Sequence, residues 1–306
     1  MKTTLALLLT SCLIPSLLQA AASEQNFNSS EDAVSALRTA AENKDTNALE
    51  TIFGPSLRLL QSPDPVQSSN GLVTFSRRMS EKVSPVTKSD SKIELNIGSD
   101  GWPFPIPLVK EDGQWHFDTE AGEEEILNRR VGRDELATIR VCHAYVEAQR
   151  EYASVDRGND GIIQYAQHLR STQGTHDGLY WHVENGEEMS PLGPLVAQAH
   201  GEGYHHETKI MNDNEAPYYG YYFKVLTRQG AHAPGGKYNY IINGHMVAGF
   251  ALVAWPAEWG NSGVMTFIVN QEGKICEANL GEKTAAIASR MEAYDPEGSK
   301  WKVVGE

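Results

Sequence analysis

Four side chains that ligate transition metals lie close together in the chain: His200, His205, His206 and Glu207. Imidazole and carboxylate suit zinc or copper. Gly201 and Gly203 break the spacing, which matches no known zinc pattern, so solvent-exposed histidines are the competing reading. A second group, Asp156-Arg157-Gly158-Asn159-Asp160-Gly161, echoes the opening of a calcium loop, where oxygens alternate and a sixth-place glycine makes the turn. Gly158 and Gln167 stand where two ligands of such a loop belong, which favours a plain turn. No cofactor is expected from these residues; zinc or calcium is what they would hold if they held one. Asp177, beside His176 and Tyr180, can do acid–base work or hold a local turn. The chain has no Walker loop, complete GxGxxG, HExxH, CxxC or nucleophile elbow.

Aromatic residues form the other candidate set. Trp102, Trp115, Tyr219, Tyr221, Trp255 and Trp259 would mark a partner or carbohydrate surface if exposed, and core if buried. Cys142 and Cys276 are the cysteines left once the leader is removed, and an oxidising compartment would permit a bridge between them. Two separate buried thiols are the alternative.

Composition narrows the partners. The formal net charge of −14 repels phosphate backbones and anionic lipid, so nucleic acid is not an expected partner. Residues 1–22 read as a signal peptide: Lys2 opens them, Leu5 to Leu18 is nearly all apolar, and Ala20-Ala21-Ala22 supplies small residues for cleavage. Export to the periplasm or medium follows. Leu9-Thr10-Ser11-Cys12 offers a competing lipoprotein box, with anchoring through Cys12. No later segment approaches ~20 apolar residues, so no transmembrane span is expected in the mature chain.

The elements that would position these groups fall into two parts. Over residues 23–122, helices at Ser30, Thr46–Phe53 and Gly71–Lys82 precede strands at Lys92–Gly98 and Gln114–Thr119. Helices followed by an antiparallel sheet form an α+β unit. Over residues 123–295, a short helix should bend at Gly132 into a long one from Arg133, with Leu136, Ile139, His143 and Val146 as its apolar stripe and Ala137, Ala144 and Ala148 thickening it. An antiparallel meander follows. It holds a Tyr218 strand with Tyr219 and Tyr221 on one face, a hairpin at Asn243-Gly244 joining Lys237–Ile242 to Met246–Trp255, and a turn at Asn270–Gly273. Residues 296–306 are a tail. The fold class is therefore α+β in two domains, the second a long helix packed on a meander.

The AVSALRTAAENKDTNALETIFG opening and its element order resemble the cone-shaped nuclear transport factor 2-like fold, whose members often carry a pocket. The YGYYFKVLT and GVMTFIVNQEGKICEANLG segments resemble the globular head of type II secretion pseudopilins. WPFPIPLVKEDGQWHFDTEAGEEEILNRRVGRDEL, DGLYW, SPLGPLVA, PYYGYYFKVLT and APGGKYNYIINGHMVAGFALVAWPAEWGNSGVMTFIVN are similar to domain-of-unknown-function family 2950 of bacterial envelope proteins. That resemblance implies an envelope location and transfers no activity. The expected function is an exported, non-catalytic binding or accessory protein of the cell envelope, taking a partner protein or small ligand. The alternatives are a metal-dependent hydrolase built on the histidines and a structural accessory of a secretion or pilus system.

Overall fold

The computed structural model describes residues 24–183, 188–204 and 216–305. The leader with its Cys12 alternative, and His205, His206 and Glu207, lie outside the described residues.

Three helices open the fold: α1 (Ser30–Glu42), α2 (Thr46–Phe53) and α3 (Pro65–Glu81). Each starts where a short polar side chain accepts from amides that the first turn leaves unpaired. Ser29 takes Asp32 N, Asp45 takes Asn47 N and Ala48 N, and Asp64 takes Val66 N and Gln67 N. Asp64 with Pro65 behind it starts α3 at Pro65 rather than Gly71, since proline suits a first turn. The strands β1 (Val83–Ser89), β2 (Lys92–Ile97), β3 (Trp102–Pro103), β4 (Leu108–Glu111) and β5 (Gln114–Phe117) form an antiparallel sheet ordered β1-β2-β4-β5, with β3 also beside β2. Ile93, Leu95 and Ile97 alternate inward as their spacing predicts, and pack with Leu37, Ile52, Phe53, Met79 and Phe117 into one apolar core.

The long helix differs from its sequence reading in start, continuity and phase. α4 runs unbroken from Thr119 to Tyr152, capped by Asp118, whose carboxylate accepts from Ala121 N. Gly132 does not bend it, because that position faces open space and glycine costs only about 1 kcal/mol against alanine. The buried stripe is Asp134, Ala137, Thr138, Val141, Cys142, Tyr145, Val146, Ala148, Gln149 and Tyr152. Of the expected stripe, Val146, Ala137 and Ala148 are buried and Ile139 packs half-buried on the core, whereas Leu136 is 60% exposed and His143 is exposed. Hydropathy misled here because the buried face is made of small residues and of polar ones whose hydrogen bonds lie elsewhere in the fold. Gln149 is an example: it donates to Ala166 O at 2.8 Å and accepts from Ala166 N at 2.9 Å.

The C-terminal part is α+β as well. β6 (His168–Arg170) and β7 (Gly178–Tyr180) pair in parallel ahead of α5 (Gly193–Gly201). Then come β8 (Tyr221–Leu226), β9 (Arg228–Gln229), β10 (Tyr238–Asn239), β11 (Ile241–Ile242), β12 (His245–Met246), β13 (Ala251–Pro256), β14 (Met265–Asn270), β15 (Cys276–Asn279), a short α6 (Thr284–Ala288), β16 (Ala293–Tyr294) and β17 (Lys302–Val303). The main sheet is ordered β17-β15-β14-β13-β8 and is antiparallel throughout. β13 sits between β8 and β14 and is covered by α4 and α6, so all six of its residues are buried. That explains an apolar run with no polar face. Asn243 and Gly244 do turn, with φ of 51° and 87°, but they join only β11 to β12. β13 turns away from that hairpin to pair with β8 and β14.

These packed elements bury two separate apolar clusters, one per part. The boundary expected at residue 122 is crossed by side chains from both directions. Ile126 packs on the first cluster, and Val66 of α3 packs on the second.

Candidate functional site

Polar residues gather where α3, α4 and the turn before β8 meet. Asp64 and Asp134 are both 0% exposed there. The Asp64 carboxylate caps α3 with one oxygen; the other accepts from Tyr204 Oη at 2.7 Å and Gly220 N at 3.2 Å. Asp134 Oδ1 accepts from Gln67 Nε2 at 2.9 Å and from Arg133 Nε at 3.1 Å. Arg130 reaches from α4 to Gln61 O at 3.0 Å and to the Asn261 side chain. One turn of helix further, Glu135 accepts from Val264 N and Met265 N, which sets the start of β14.

The turn held against this cluster is conformationally unusual. Tyr218 and Tyr221 exchange backbone hydrogen bonds, so Tyr219 and Gly220 are its central residues, with φ of 48° and 70°. Left-handed backbone suits glycine and strains a bulky residue such as tyrosine. The strain is held by specific bonds: Tyr219 N donates to Tyr204 Oη, and Gly220 N to Asp64. A side chain at position 220 could not fit, because its Cβ would lie 2.7 Å from Ser262 Cβ and 3.1 Å from Asp134 Oδ2.

Burial dominates the electrostatics. It raises the Asp134 carboxyl to about 6, against the opposing pull of the Arg133 charge and the Gln67 hydrogen bond. It also lowers the Arg130 guanidinium, which the Asp134 charge partly restores. The Tyr204 phenol rises through burial and then through the Asp64 charge. Tyr219 rises through burial and then through Glu202. Hydroxyls near neutral pH therefore stay protonated, and Asp134 is the junction group that titrates close to it.

A separate concavity lies in the N-terminal part. A groove of about 580 Å³ runs between α1 and α2. Ala36, Ala40 and Ala48 keep it open because they are small, and Ser35, Thr39, Asn43 and Thr51 supply hydroxyl and amide groups. Asp32 and Asp45 are its charged lining residues.

The model of a family described as "Protein of unknown function (DUF2950)" matches residues 24–304. The chain belongs to that family. No curated protein and no solved structure matches it. The likenesses to the nuclear transport factor 2-like fold and to pseudopilin heads find no matching solved structure.

In this family member the residues singled out from sequence are scattered. Tyr221 and Trp255 are core residues of the main sheet, and Trp115 is core of the first, bridged to Phe27. Trp102 is half-buried between the guanidinium groups of Arg78 and Arg129, 4.9 and 4.8 Å from its ring centre. Trp259 is half-buried and donates to Asn279 Oδ1. Tyr219 joins the junction, in the turn rather than on the strand face expected for it, and Tyr221 closes the same turn. Asp156 accepts from Gly161 N and Asp160 from Ile162 N, as in a plain turn. His200 ends α5. No group of three metal-ligating side chains converges among the described residues. Asp177 holds its loop: burial acts to raise its carboxyl, but hydrogen bonds from Thr175 and Thr172 outweigh that and lower it.

The Cys142–Cys276 bridge that an oxidising compartment would permit is not formed, and the alternative of two separate buried thiols holds: Cys142 lies on α4 and Cys276 on β15, where its sulfur lies 3.9 Å from Tyr294 Oη. Sequence reasoning missed Asp64, Gln67, Arg130, Asp134, Tyr204 and Gly220. A signal for Asp134 was present, since it lies one helical turn before Ala137 and Thr138 and so shares their face.

Proposed function

We propose that the chain is an exported, non-catalytic binding protein of the cell envelope that takes a small polar ligand in the groove between α1 and α2. The groove carries this reading. Its volume of about 580 Å³ lies within the roughly 300–1,000 Å³ of small-molecule sites. Its hydroxyl and amide lining suits a ligand rich in hydrogen-bonding groups. Asp32 and Asp45, without a basic residue beside them in the lining, favour a neutral or cationic ligand over an anion. Asp45 is preorganised by its capping bonds to α2. The apolar leader with its small-residue cleavage site supports export.

Calorimetric titration of the mature protein with neutral sugars, polyols and short diamines tests this. At least one should give saturable heat, and Ala36→Trp, which fills the groove from a half-buried position, should abolish it without lowering the melting temperature. Recovered ligand should be chemically unchanged. No heat from any member of the panel, or binding that survives Ala36→Trp, would overturn the groove assignment; conversion of the ligand would overturn the non-catalytic one.

A further inference from the structure

We propose that Asp134 is a proton-operated latch joining α3, α4 and the Tyr218–Tyr221 turn, tight when its carboxyl is protonated and loosened when it ionises. Asp134 is sealed from water, and its Oδ1 receives Gln67 from α3 and Arg133 from its own helix. Its Oδ2 has no hydrogen-bond partner among the described residues and faces the Gly220 backbone and Ser262. A carboxylate offers about four acceptor sites, and a buried anion with one oxygen unmatched is strongly disfavoured. A neutral carboxyl in the same place is not.

Charged and titratable groups surround it on several packed elements. α4 contributes Arg130, Arg133 and Glu135; the segment capping α3 contributes Asp64; Glu258 faces Arg130; and the Tyr221 phenol of β8 feels the Asp134 charge. The two guanidinium groups favour the anion, yet burial outweighs them, and the carboxyl titrates at about 6 while the junction is closed. Hydrated in an opened junction, it would return to about 3.9. Closing therefore takes up a proton between those values, and acid favours the closed form. The elements it ties are those that join the two cores, since Asp64 also binds Tyr204 and Gly220, and Asn70 of α3 binds Glu202 O.

Amide hydrogen exchange on the full mature chain, corrected for intrinsic rates, reads the latch directly. Peptides covering residues 62–70 and 216–222 should exchange about tenfold faster at pH 7.5 than at pH 5, the ratio set by those two titration points. Asp134→Asn, neutral at both pH values, should remove that difference. Arg133→Gln, which strips away a partly exposed counter-charge and leaves the fold intact, should move the midpoint to higher pH. Equal exchange at both pH values in the parent would overturn the proposal. So would a pH dependence that persists in Asp134→Asn, or, if that variant does not fold, a midpoint unmoved by Arg133→Gln.

Discussion

At the scale of single residues, the junction depends on groups that no motif announces. Gly220 is there because of space as much as backbone: alanine would put a Cβ 2.7 Å from Ser262 and force an L residue into φ of 70°. Gly220→Ala should therefore destabilise by about 2 kcal/mol or more, measured by urea unfolding. Tyr204→Phe removes a hydroxyl that donates to Asp64 and accepts from Tyr219 N. It should cost roughly 1–3 kcal/mol, because a buried carboxylate oxygen and a turn amide both lose a partner. A loss below a few tenths of a kcal/mol would mean that water replaces the hydroxyl freely. Burial also pushes the Cys142 thiol up to about 12. With Cys276 buried as well, an aromatic disulfide reagent at pH 8 should label neither thiol in native protein and both in denaturant.

At the scale of elements, legibility tracked how far each element's stability is local. α2 was readable to the residue because Asp45 caps it and Gly54-Pro55 stops it. β2 and β5 were readable because one face is buried, which imposes a period of two. α4 was readable as a helix but not in phase, since residues that decide its orientation, Asp134 and Gln149 among them, are polar and pair with distant segments. The hairpin at Asn243-Gly244 showed its turn and hid its partners, because a turn residue specifies two flanking positions and not what the strand that starts at Ala251 will pair with. Substitutions on α4 separate the two phases. Leu136→Asp should be nearly neutral and Val141→Asp should cost several kcal/mol, since only the second places a charge in the core. Gly132→Ala, into open space on an unbroken helix, should stabilise by about 1 kcal/mol. Comparable losses from Leu136→Asp and Val141→Asp would restore the stripe expected from hydropathy.

At the scale of the whole molecule, stability should depend on pH through carboxyls that pull in opposite directions, with Asp134 and Asp177 the junction and loop examples. The folded Asp134 carboxyl binds its proton more tightly than the unfolded one, at about 6 against an ordinary 3.8. Its favourable contribution is therefore complete below about pH 4 and is lost as pH rises through 6, by at most ~3 kcal/mol at 1.36 kcal/mol per unit. The lowered Asp177 carboxyl contributes stability above its ordinary value and loses it in stronger acid. The two together place the parent's maximum on the acid side of neutrality, with a fall between about pH 4 and 7 followed by a plateau. Asp134→Asn should flatten that fall and leave the acid limb intact, because the amide keeps the Gln67 contact in one orientation without carrying charge. Melting temperatures of parent and variant from pH 3 to 8 would show curves that meet in acid and separate above pH 6, with the variant higher. Parallel curves would mean that the Arg130 and Arg133 charges already neutralise Asp134 in the fold, and that the contacts joining the two cores are insensitive to protons.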